Sequence, residues 1–405
     1  MHHASGGDLV LVMSVKDNCV CDGRILPRMS VAIPVQPGEI SQTRRAQSFY
    51  RPELDGLRFF AFFCVFIHHT LPTHIEFYLE RHIPFGDFIT SVAEAGRFGV
   101  DLFFVLSAYL ITELLLREKE NFGKVHLKSF YLRRMLRIWP LYFLAIAIAT
   151  FLPHIDSTQT FPLRYVVAFL FLAGNWIVSF YDFPESVMNA LWSVSFEEQF
   201  YLFWPAVIAL VRRARTLGVV ACGFLIVSML SRVLLLKYSQ SVIWTNSFAR
   251  LDPLAVGVLS AVILRSRHIA LSGFARLGLA GLGAVLWVFA GHFEGRDLAF
   301  MVLGYPVVAV GAGLIFMAVW RMRWVPRWLR YCGKISYGLY VFHMLGLYIA
   351  RKLAGDFPHN FRQFFQYWSL GLTVTFVLAA FSYAFFESPF LRMKERFAFV
   401  KSRPV

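Results

Sequence analysis

The residues with the clearest chemical potential are an arginine and a histidine eleven positions apart in one apolar segment. The segment opens with the charged run from Tyr50 to Arg58 and later carries His68 and His69. Eleven residues turn an α-helix by about 1100°, so Arg58 and His69 share a face at a rise of about 16 Å. Because ionisable groups are costly in lipid, we predict that His69, near mid-membrane, and Arg58 are catalytic residues and that His68 is structural. Simple hydrogen bonding between helices is the alternative for His69.

A carboxylate near the start of the next apolar segment is the expected partner of this imidazole. Asp101 lies about one helical turn inside that segment, where an unpaired carboxylate is expensive. The loop between the two segments would bring Asp101 to the half of the first helix that holds His69. We expect Asp101 to orient the imidazole and fix its tautomer. An ion pair with Arg97 is an equally good alternative.

Three arginines crowd one side of the third apolar segment. Arg133, Arg134 and Arg137 are helical neighbours at spacings of three and four, which is unfavourable for like charges unless they share an anion. Guanidinium groups bind phosphate through paired hydrogen bonds. We predict a phosphate site here. The alternative is ordinary anchoring of a membrane helix at its basic end.

A fourth segment begins with an aromatic residue and two adjacent carboxylates. Trp192, Glu197 and Glu198 stand near the start of an apolar helix, where the helix dipole favours acids and explains one of them. Two carboxylates beside a tryptophan indicate a rim that binds a carbohydrate or another hydroxyl compound.

Three later clusters of polar residues are each only weak evidence for a function. We interpret them as a structural ion pair of Arg250 with Asp252, a buried polar network of Tyr340 and His343, and a helix-end contact of Glu387 to basic neighbours. None of these clusters indicates a reaction by itself.

Composition identifies the kind of protein that must position these residues. The 405 residues are 57% hydrophobic and 16% charged, with a mean hydropathy of +0.56, whereas soluble domains carry about 25% charged residues. The net charge of +15 forms short clusters between apolar runs, which is typical of lipid orientation and not of nucleic-acid binding. The five cysteines are scattered, and Cys19 and Cys21 are too close and isolated for zinc, so we expect neither a disulfide framework nor a metal.

Runs of about 20 apolar residues predict an all-α, polytopic membrane bundle of about ten transmembrane helices. The segments are 58–78, 98–116, 138–153, 192–211, 217–236, 250–264, 271–291, 298–320, 336–351 and 364–386. Residues 164–181 are predicted to be re-entrant or interfacial, because a full crossing would invert every later loop. With that choice most basic residues lie on one side and both termini are cytosolic. No repeat or inverted symmetry is visible, which weakens a transporter interpretation.

We divide the chain into three parts. Residues 1–46 are expected to be a disordered cytosolic tail, in which Met29 is an alternative start. Residues 47–392 form the transmembrane domain, and residues 393–405 form a short basic cytosolic tail. The first part contains no apolar run long enough for a secretory signal.

Taken in order, these motifs resemble the acyltransferase 3 family of integral membrane acyltransferases, from Tyr50 to about Arg392. The resemblance rests on the run Tyr50 to Arg58 with Arg58 and His69 at R-x10-H spacing, Gly99 to Ser107, Arg134 and Arg137 at R-x-x-R spacing, Trp192-Ser193 with Glu197 to Tyr201, and Glu387 to Phe390. Two positions depart from the family pattern. Ala108 replaces a usual glycine, which puts local helix packing in doubt, and Ala190 replaces a frequent histidine, which puts acceptor recognition in doubt.

The resemblance implies a ten-helix enzyme of the bacterial cytoplasmic membrane. Such an enzyme moves an acyl group, commonly acetyl, from cytosolic acyl-CoA to a hydroxyl of an extracytoplasmic or lipid-linked acceptor such as a cell-surface glycan. By the same resemblance Arg134 and Arg137 hold the CoA phosphates and His69 is the catalytic histidine. Acyl-CoA is then a co-substrate and not a resident cofactor. The chain is expected to act alone or to pass its acyl group to a separate periplasmic partner.

Several mechanisms and functions stay open. We find no serine elbow or cysteine nucleophile motif, which favours direct transfer over a covalent serine or cysteine intermediate, and an acyl-histidine is the alternative. The main rival function is a transporter or flippase in which His69, Asp101 and Glu197 relay protons. A structural subunit of an envelope glycan complex is a third interpretation. The arginine cluster favours the enzyme, because a nucleotide-bearing donor requires it.

Overall fold

The computed structural model describes residues 49–267, 269–293, 298–322, 324–355 and 361–397, and every regular element in these ranges is helical. The predicted tail of residues 1–46 and the last eight residues lie outside the described ranges. In chain order the α-helices are α1 (Pro52–Thr70), α2 (Ile75–Glu80), α3 (Gly86–Gly96), α4 (Gly99–Phe122), α5 (Leu127–Phe151), α6 (Leu163–Leu170), α7 (Gly174–Tyr181), α8 (Leu191–Leu210), α9 (Ala214–Leu235), α10 (Gln240–Thr245), α11 (Asp252–Ser266), α12 (Gly273–Phe293), α13 (Leu298–Val319), α14 (Arg327–Lys334), α15 (Ser336–Ala354), α16 (Phe361–Phe381) and α17 (Ser388–Glu395). The prediction of an all-α fold is confirmed.

Each of the ten predicted apolar segments contains one long helix. Within the described residues, six helical stretches are long and apolar enough to cross a membrane: Gly86–Phe122, Leu127–His154, Ala214–Leu235, Gly273–Phe293, Ala299–Val319 and Arg362–Glu395. The full count of ten crossings and the side of the termini stay predictions. The ambiguous region 164–181 consists of α6 and α7, eight residues each, and about 12 Å of helix is too short to span a bilayer.

Helix α1 begins and ends where its local sequence dictates. Pro52 occupies the first turn, where its fixed φ suits a helix, and Glu53 and Asp55 complement the positive end of the dipole. The helix ends at Thr70, and Leu71 is extended (φ −81°, ψ 138°) because it precedes a proline. The predicted segment 58–78 is therefore too long. The pair of histidines lies in the last turn of α1 and not in the middle of a helix.

Close backbone approach holds α1 against the junction of α3 and α4. A Cβ atom on Gly96 would lie 2.5 Å from the carbonyl oxygen of Cys64, and one on Gly99 would overlap the carbonyl oxygen of Ala61. Only glycine permits this approach. The two helices that carry the predicted catalytic groups are therefore packed backbone to backbone.

The alanine at position 108 is accommodated by a glycine on the neighbouring helix. Ala108 is fully buried in α4, and a Cβ on Gly257 of α11 would lie 2.7 Å from the Ala108 Cβ and 2.5 Å from the Val105 carbonyl oxygen. The small residue required at this crossing is supplied by α11, so the departure at Ala108 leaves the packing intact.

Two buried ion pairs differ from the predicted pairing. Arg232 of α9 donates from Nη1 and Nη2 to the two carboxylate oxygens of Asp252, at 2.5 and 3.1 Å. Arg250 instead donates to Asp101 at 2.6 Å. The predicted pair of Arg250 with Asp252 is wrong, because Arg232 already occupies Asp252 in a bidentate arrangement and leaves Arg250 for the carboxylate on α4.

Candidate active site

Four arginines surround one cavity in the helical bundle. This arginine cavity, of about 120 Å³, is lined by Tyr50, Arg51, Asp55, Arg58, Val100, Ser107, Arg134, Arg137, Ser193, Glu197, Tyr201, Ser336, Tyr337, Tyr340 and further apolar residues. Its lining holds two carboxylates, Asp55 and Glu197, against the four guanidinium groups. The excess of positive charge suits an anionic ligand.

Arg58 enters the cavity in a fixed orientation. Its Nη1 donates to Oδ1 of Asp55 at 2.8 Å, and the hydroxyl of Tyr50 donates to Oδ2 of the same carboxylate at 2.9 Å. Asp55 is buried, whereas the Arg58 side chain is 16% exposed. The carboxylate therefore anchors Arg58 while leaving part of the guanidinium open to the cavity.

Arg134 and Arg137 reach the cavity from α5. The Arg134 guanidinium lies 5.1 Å from the ring centroid of Tyr201, and it interacts electrostatically with Glu197 of α8. Glu197 also interacts with the hydroxyl side chains of Ser107 and Tyr201. The predicted pair of arginines thus shares a cavity with Arg58.

Arg133 points away from this cavity. Its Nη1 donates to the carbonyl oxygen of Phe397 at 2.7 Å and its Nη2 donates to Glu118 at 3.2 Å. The helical spacing that crowds the three arginines in sequence places only Arg134 and Arg137 together around the cavity.

A second cavity contains the predicted catalytic histidine. This histidine cavity, of about 360 Å³, is lined by Val65, His68, His69, Glu94, Arg97, Val100, Phe183, Asn189, Ala190, Trp192, Trp244, Tyr340 and Met344. His69 is exposed to it. The imidazole therefore faces a space that a polar molecule could enter.

Two further imidazoles flank His69. The ring centroids of His68 and His343 lie 5.0 and 5.1 Å from that of His69. His68 donates from Nδ1 to the carbonyl oxygen of Ala93 at 3.0 Å, as expected of a structural histidine. His343 donates from Nδ1 to the Tyr340 carbonyl oxygen at 2.6 Å, and its buried Nε2 has no hydrogen-bond partner among the described residues. No signal in the sequence indicates that His343 lies beside His69, because their helices are far apart along the chain.

Asp101 does not reach either cavity. Its partner Arg250 stacks at 4.1 Å from the ring centroid of Trp244, and Trp244 lines the histidine cavity. The guanidinium of Arg97, the alternative partner, lies 3.9 Å from the ring centroid of Trp244 and 3.7 Å from the Glu94 carboxylate. Asp101 therefore supports the wall of the histidine cavity through Arg250.

The start of α8 separates the three residues predicted to bind the acceptor. Trp192 lines the histidine cavity and Glu197 lines the arginine cavity, because five residues advance a helix by about 7.5 Å and turn it by about 140°. Glu198 lines neither and accepts a hydrogen bond from Trp139 Nε1 at 2.8 Å. The two carboxylates do not form a common rim with Trp192.

Tyr340 and Val100 line both cavities and form the wall between them. The Tyr340 hydroxyl lies 2.6 Å from Ser193 Oγ and donates to the carbonyl oxygen of Ala190 at 3.3 Å. Ala190 stands where the family pattern often has histidine, and its backbone carbonyl oxygen helps to hold Tyr340 in place. The two cavities therefore adjoin at the side chains of Tyr340 and Val100.

Comparison with known proteins gives one consistent family. Residues 51–387 match the family model Acyltransferase domain, acyltransferase 3. The O-acetyltransferase OatA of Staphylococcus aureus (strain NCTC 8325 / PS 47) is 28% identical over 391 residues, 87% of this chain and 59% of the relative. A protein of S. aureus strain MSSA476 named "Putative O-acetyltransferase SAS0844" is 25% identical over 376 residues, 86% of this chain and 58% of the relative. The chain thus spans less than two thirds of these relatives. No solved structure matches.

Proposed function

The chain belongs to the acyltransferase 3 family, and from this premise we propose that it is a multi-pass membrane O-acyltransferase. It takes an acyl group, acetyl in the simplest case, from acyl-CoA and transfers it to a hydroxyl group of an acceptor. The names of the O-acetyltransferase relatives support the chemistry. The arginine cavity supports a donor that carries phosphate groups.

One observation carries the proposal: the arginine cavity and the histidine cavity meet at a wall that contains Tyr340 and Val100. Arg58 opens into the first cavity and His69 into the second, although both belong to α1. A donor held by the arginines can present its thioester at this wall. An acceptor in the histidine cavity then approaches the thioester from the other side.

Donor binding is assigned to Arg58, Arg134 and Arg137. Guanidinium groups suit the diphosphate of coenzyme A because each can make two hydrogen bonds to one phosphate. Asp55 holds Arg58 in place, and Tyr201 lies against Arg134. The donor is made in the cytosol, so the arginine cavity faces the cytosol of a bacterial inner membrane.

The transfer step uses His69 as a general base. The imidazole takes the proton of the acceptor hydroxyl while the hydroxyl oxygen bonds to the thioester carbonyl carbon. The bond from carbon to sulfur then breaks, and the departing CoA sulfur receives the proton from the imidazolium. The rings of His68 and His343 flank the ring of His69, with centroid distances of 5.0 and 5.1 Å.

The alternative is an acyl-histidine. The imidazole nitrogen of His69 bonds to the thioester carbon and the carbon–sulfur bond breaks to release the CoA thiolate. The acceptor hydroxyl then bonds to the same carbon, the carbon–nitrogen bond breaks to restore the imidazole, and the hydroxyl proton goes to the thiolate.

Acceptor binding is assigned to the histidine cavity. The ring centroids of Trp192 and Trp244 lie 5.7 Å apart, and such aromatic faces suit a sugar ring. Asn189 donates to the Pro184 carbonyl oxygen at 2.7 Å, and its buried Oδ1 has no hydrogen-bond partner among the described residues. A sugar hydroxyl would satisfy this oxygen, which favours a glycan of the cell surface as the acceptor.

The proposal is tested by supplying labelled acetyl-CoA to membrane vesicles that expose the arginine cavity. We expect ester-linked label on a hydroxyl acceptor with the wild type and with the control His154→Gln, whose exposed side chain lies outside both cavities. We expect none with His69→Gln. Unaltered labelling by His69→Gln would overturn the catalytic assignment, and absence of acylated product with every variant would favour a transporter.

A further inference from the structure

A third cavity adjoins the arginine cavity and is also lined with arginines. This side cavity, of about 300 Å³, includes in its lining Arg51, Glu113, Arg117, Arg265, Arg267 and Arg321. None of the residues assigned to donor or acceptor binding above belongs to it. Its five guanidinium groups have no role in the transfer step described so far.

The carboxylates near the side cavity neutralise only part of this charge. Glu113 pairs with Arg117 at 2.5 Å and with Arg265 at 2.7 Å, and Arg265 also pairs with Glu120. The ion pairs formed by the described residues leave Arg51, Arg267 and Arg321 without a carboxylate partner. The remaining carboxylate close to the cavity is Glu53, which accepts from the Arg321 backbone N–H, so positive charge is still in excess over negative charge around the side cavity.

Two of these arginines are held in place by other contacts. The Arg51 guanidinium lies 5.0 Å from the Trp320 ring centroid. Arg321 adopts the left-handed backbone region (φ 56°), and its N–H donates to Glu53 Oε1 at 3.2 Å. A non-glycine residue is strained in that region unless the surroundings hold it there. The positions of both arginines are thus set by the fold of the cavity wall.

Arg51 connects the side cavity to the donor site, since it lines the arginine cavity as well. A ligand whose phosphates lie on Arg134 and Arg137 could continue past Arg51 into the side cavity. Coenzyme A has the required chemistry, because it carries a diphosphate and a separate phosphomonoester on its ribose. A phosphomonoester has up to about two negative charges at neutral pH.

We propose that the side cavity is a phosphomonoester site that holds the ribose 3′-phosphate of the acyl-CoA donor. This inference rests on the proposed function and extends it to the nucleotide end of the donor. Arg51, Arg267 and Arg321 supply the hydrogen-bond donors. The same chemistry could be offered by the headgroup of phosphatidic acid, so the experiment separates the two sources.

The test compares binding of CoA and 3′-dephospho-CoA by the full-length protein in phosphatidylcholine nanodiscs. We expect the wild type to prefer CoA by about tenfold or more, the usual effect of a hydrogen-bonded charge pair. The double variant Arg267→Gln/Arg321→Gln should bind both nucleotides within about twofold, with the affinity for dephospho-CoA unchanged. Both arginines are exposed, so the variant retains its fold, which thermal unfolding checks. Arg213→Gln, an exposed residue outside the three cavities, is the matched control.

Equal binding of the two nucleotides by the wild type, or a preference that survives in the double variant, overturns the donor assignment. Nanodiscs that contain phosphatidic acid then decide the lipid source. If phosphatidic acid raises the unfolding temperature of the wild type but not that of the double variant, the side cavity binds a lipid headgroup. If phosphatidic acid raises neither temperature, the side cavity is not a phosphomonoester site. If neither nucleotide binds, the proposed function fails as well. If both bind equally and depend on Arg134, the proposed function stands and only the side-cavity inference falls.

Discussion

Arg58 and His69 lie on one face of helix α1, yet they open into two different cavities. One helix of 19 residues therefore carries both a residue of the cationic site and a residue of the imidazole site. The wall between the sites is thin, since Tyr340 contributes to both linings. This relationship explains how a charged donor and a separate acceptor can be brought to opposite sides of one reacting carbon.

The wall residue Tyr340 should control whether water reaches the donor. Tyr340→Ala removes the ring between the cavities, so we expect faster hydrolysis of acetyl-CoA in the absence of acceptor. Tyr340→Phe keeps the ring and loses only the hydroxyl contacts with Ser193 and with the Ala190 carbonyl oxygen, so its hydrolysis should stay at the wild-type level. Release of CoA, followed with a thiol reagent, measures the difference. Equal hydrolysis by the two variants would argue against a dividing role.

The arginine cavity should determine the KM for the donor. Arg134→Gln and Arg137→Gln should each raise the KM for acetyl-CoA by about 10- to 100-fold, the loss expected for a hydrogen bond to a charged group. Arg133→Gln is the matched control, because Arg133 bonds Glu118 and the carbonyl oxygen of Phe397 outside the cavity.

Initial rates at varied donor concentration test this difference. An Arg133 variant as impaired as the other two would restore the three-arginine site predicted from sequence. Unchanged KM values for Arg134→Gln and Arg137→Gln would remove the phosphate assignment.

The buried pair of Asp101 and Arg250 should dominate local stability. Asp101→Asn leaves the Arg250 guanidinium buried without its counter-charge, which costs about 3–5 kcal/mol. The double variant Asp101→Asn/Arg250→Gln should recover much of this loss, because it removes both charges. Thermal unfolding in detergent provides the measurement. The exposed pair of Arg81 with Glu80 is the control, and Glu80→Gln should change stability by less than about 1 kcal/mol.

Backbone contact between α1 and α4 should make one glycine indispensable. Gly99→Ala places a Cβ on the carbonyl oxygen of Ala61, so the helices must separate, at a cost of about 1–3 kcal/mol. Gly218→Ala in α9 meets no atom within 4 Å and should be neutral or slightly stabilising. Unfolding temperatures compare the two variants. Similar values would show that the close approach is not needed.

The parts of the site that follow from local sequence could be predicted. Apolar length and helical geometry gave the helical segments and the shared face of Arg58 and His69. The i,i+3 spacing of Arg134 and Arg137 gave two members of the arginine cavity. These features depend on neighbours in the chain, so no tertiary information is needed to recognise them.

The remaining features depend on contacts between distant helices. Arg250 could pair with either of two carboxylates, and the choice was set by Arg232, which takes Asp252. Trp192 and Glu197 belong to one motif but line different cavities. This difference depends on the position of Tyr340, which comes from another helix. His343 came close to His69 only through the packing of α15 near α1. Competition among tertiary partners therefore limited the prediction.

The most direct test of the central claim separates donor binding from transfer in the variant His69→Gln. We predict that acetyl-CoA binding by the purified protein stays within about twofold of the wild type, because His69 lies outside the arginine cavity. Single-turnover transfer to the acceptor should fall by about 10²- to 10⁴-fold, the usual contribution of a general base. Transfer at the wild-type rate, or a loss of donor binding with an unchanged transfer step, would contradict the account.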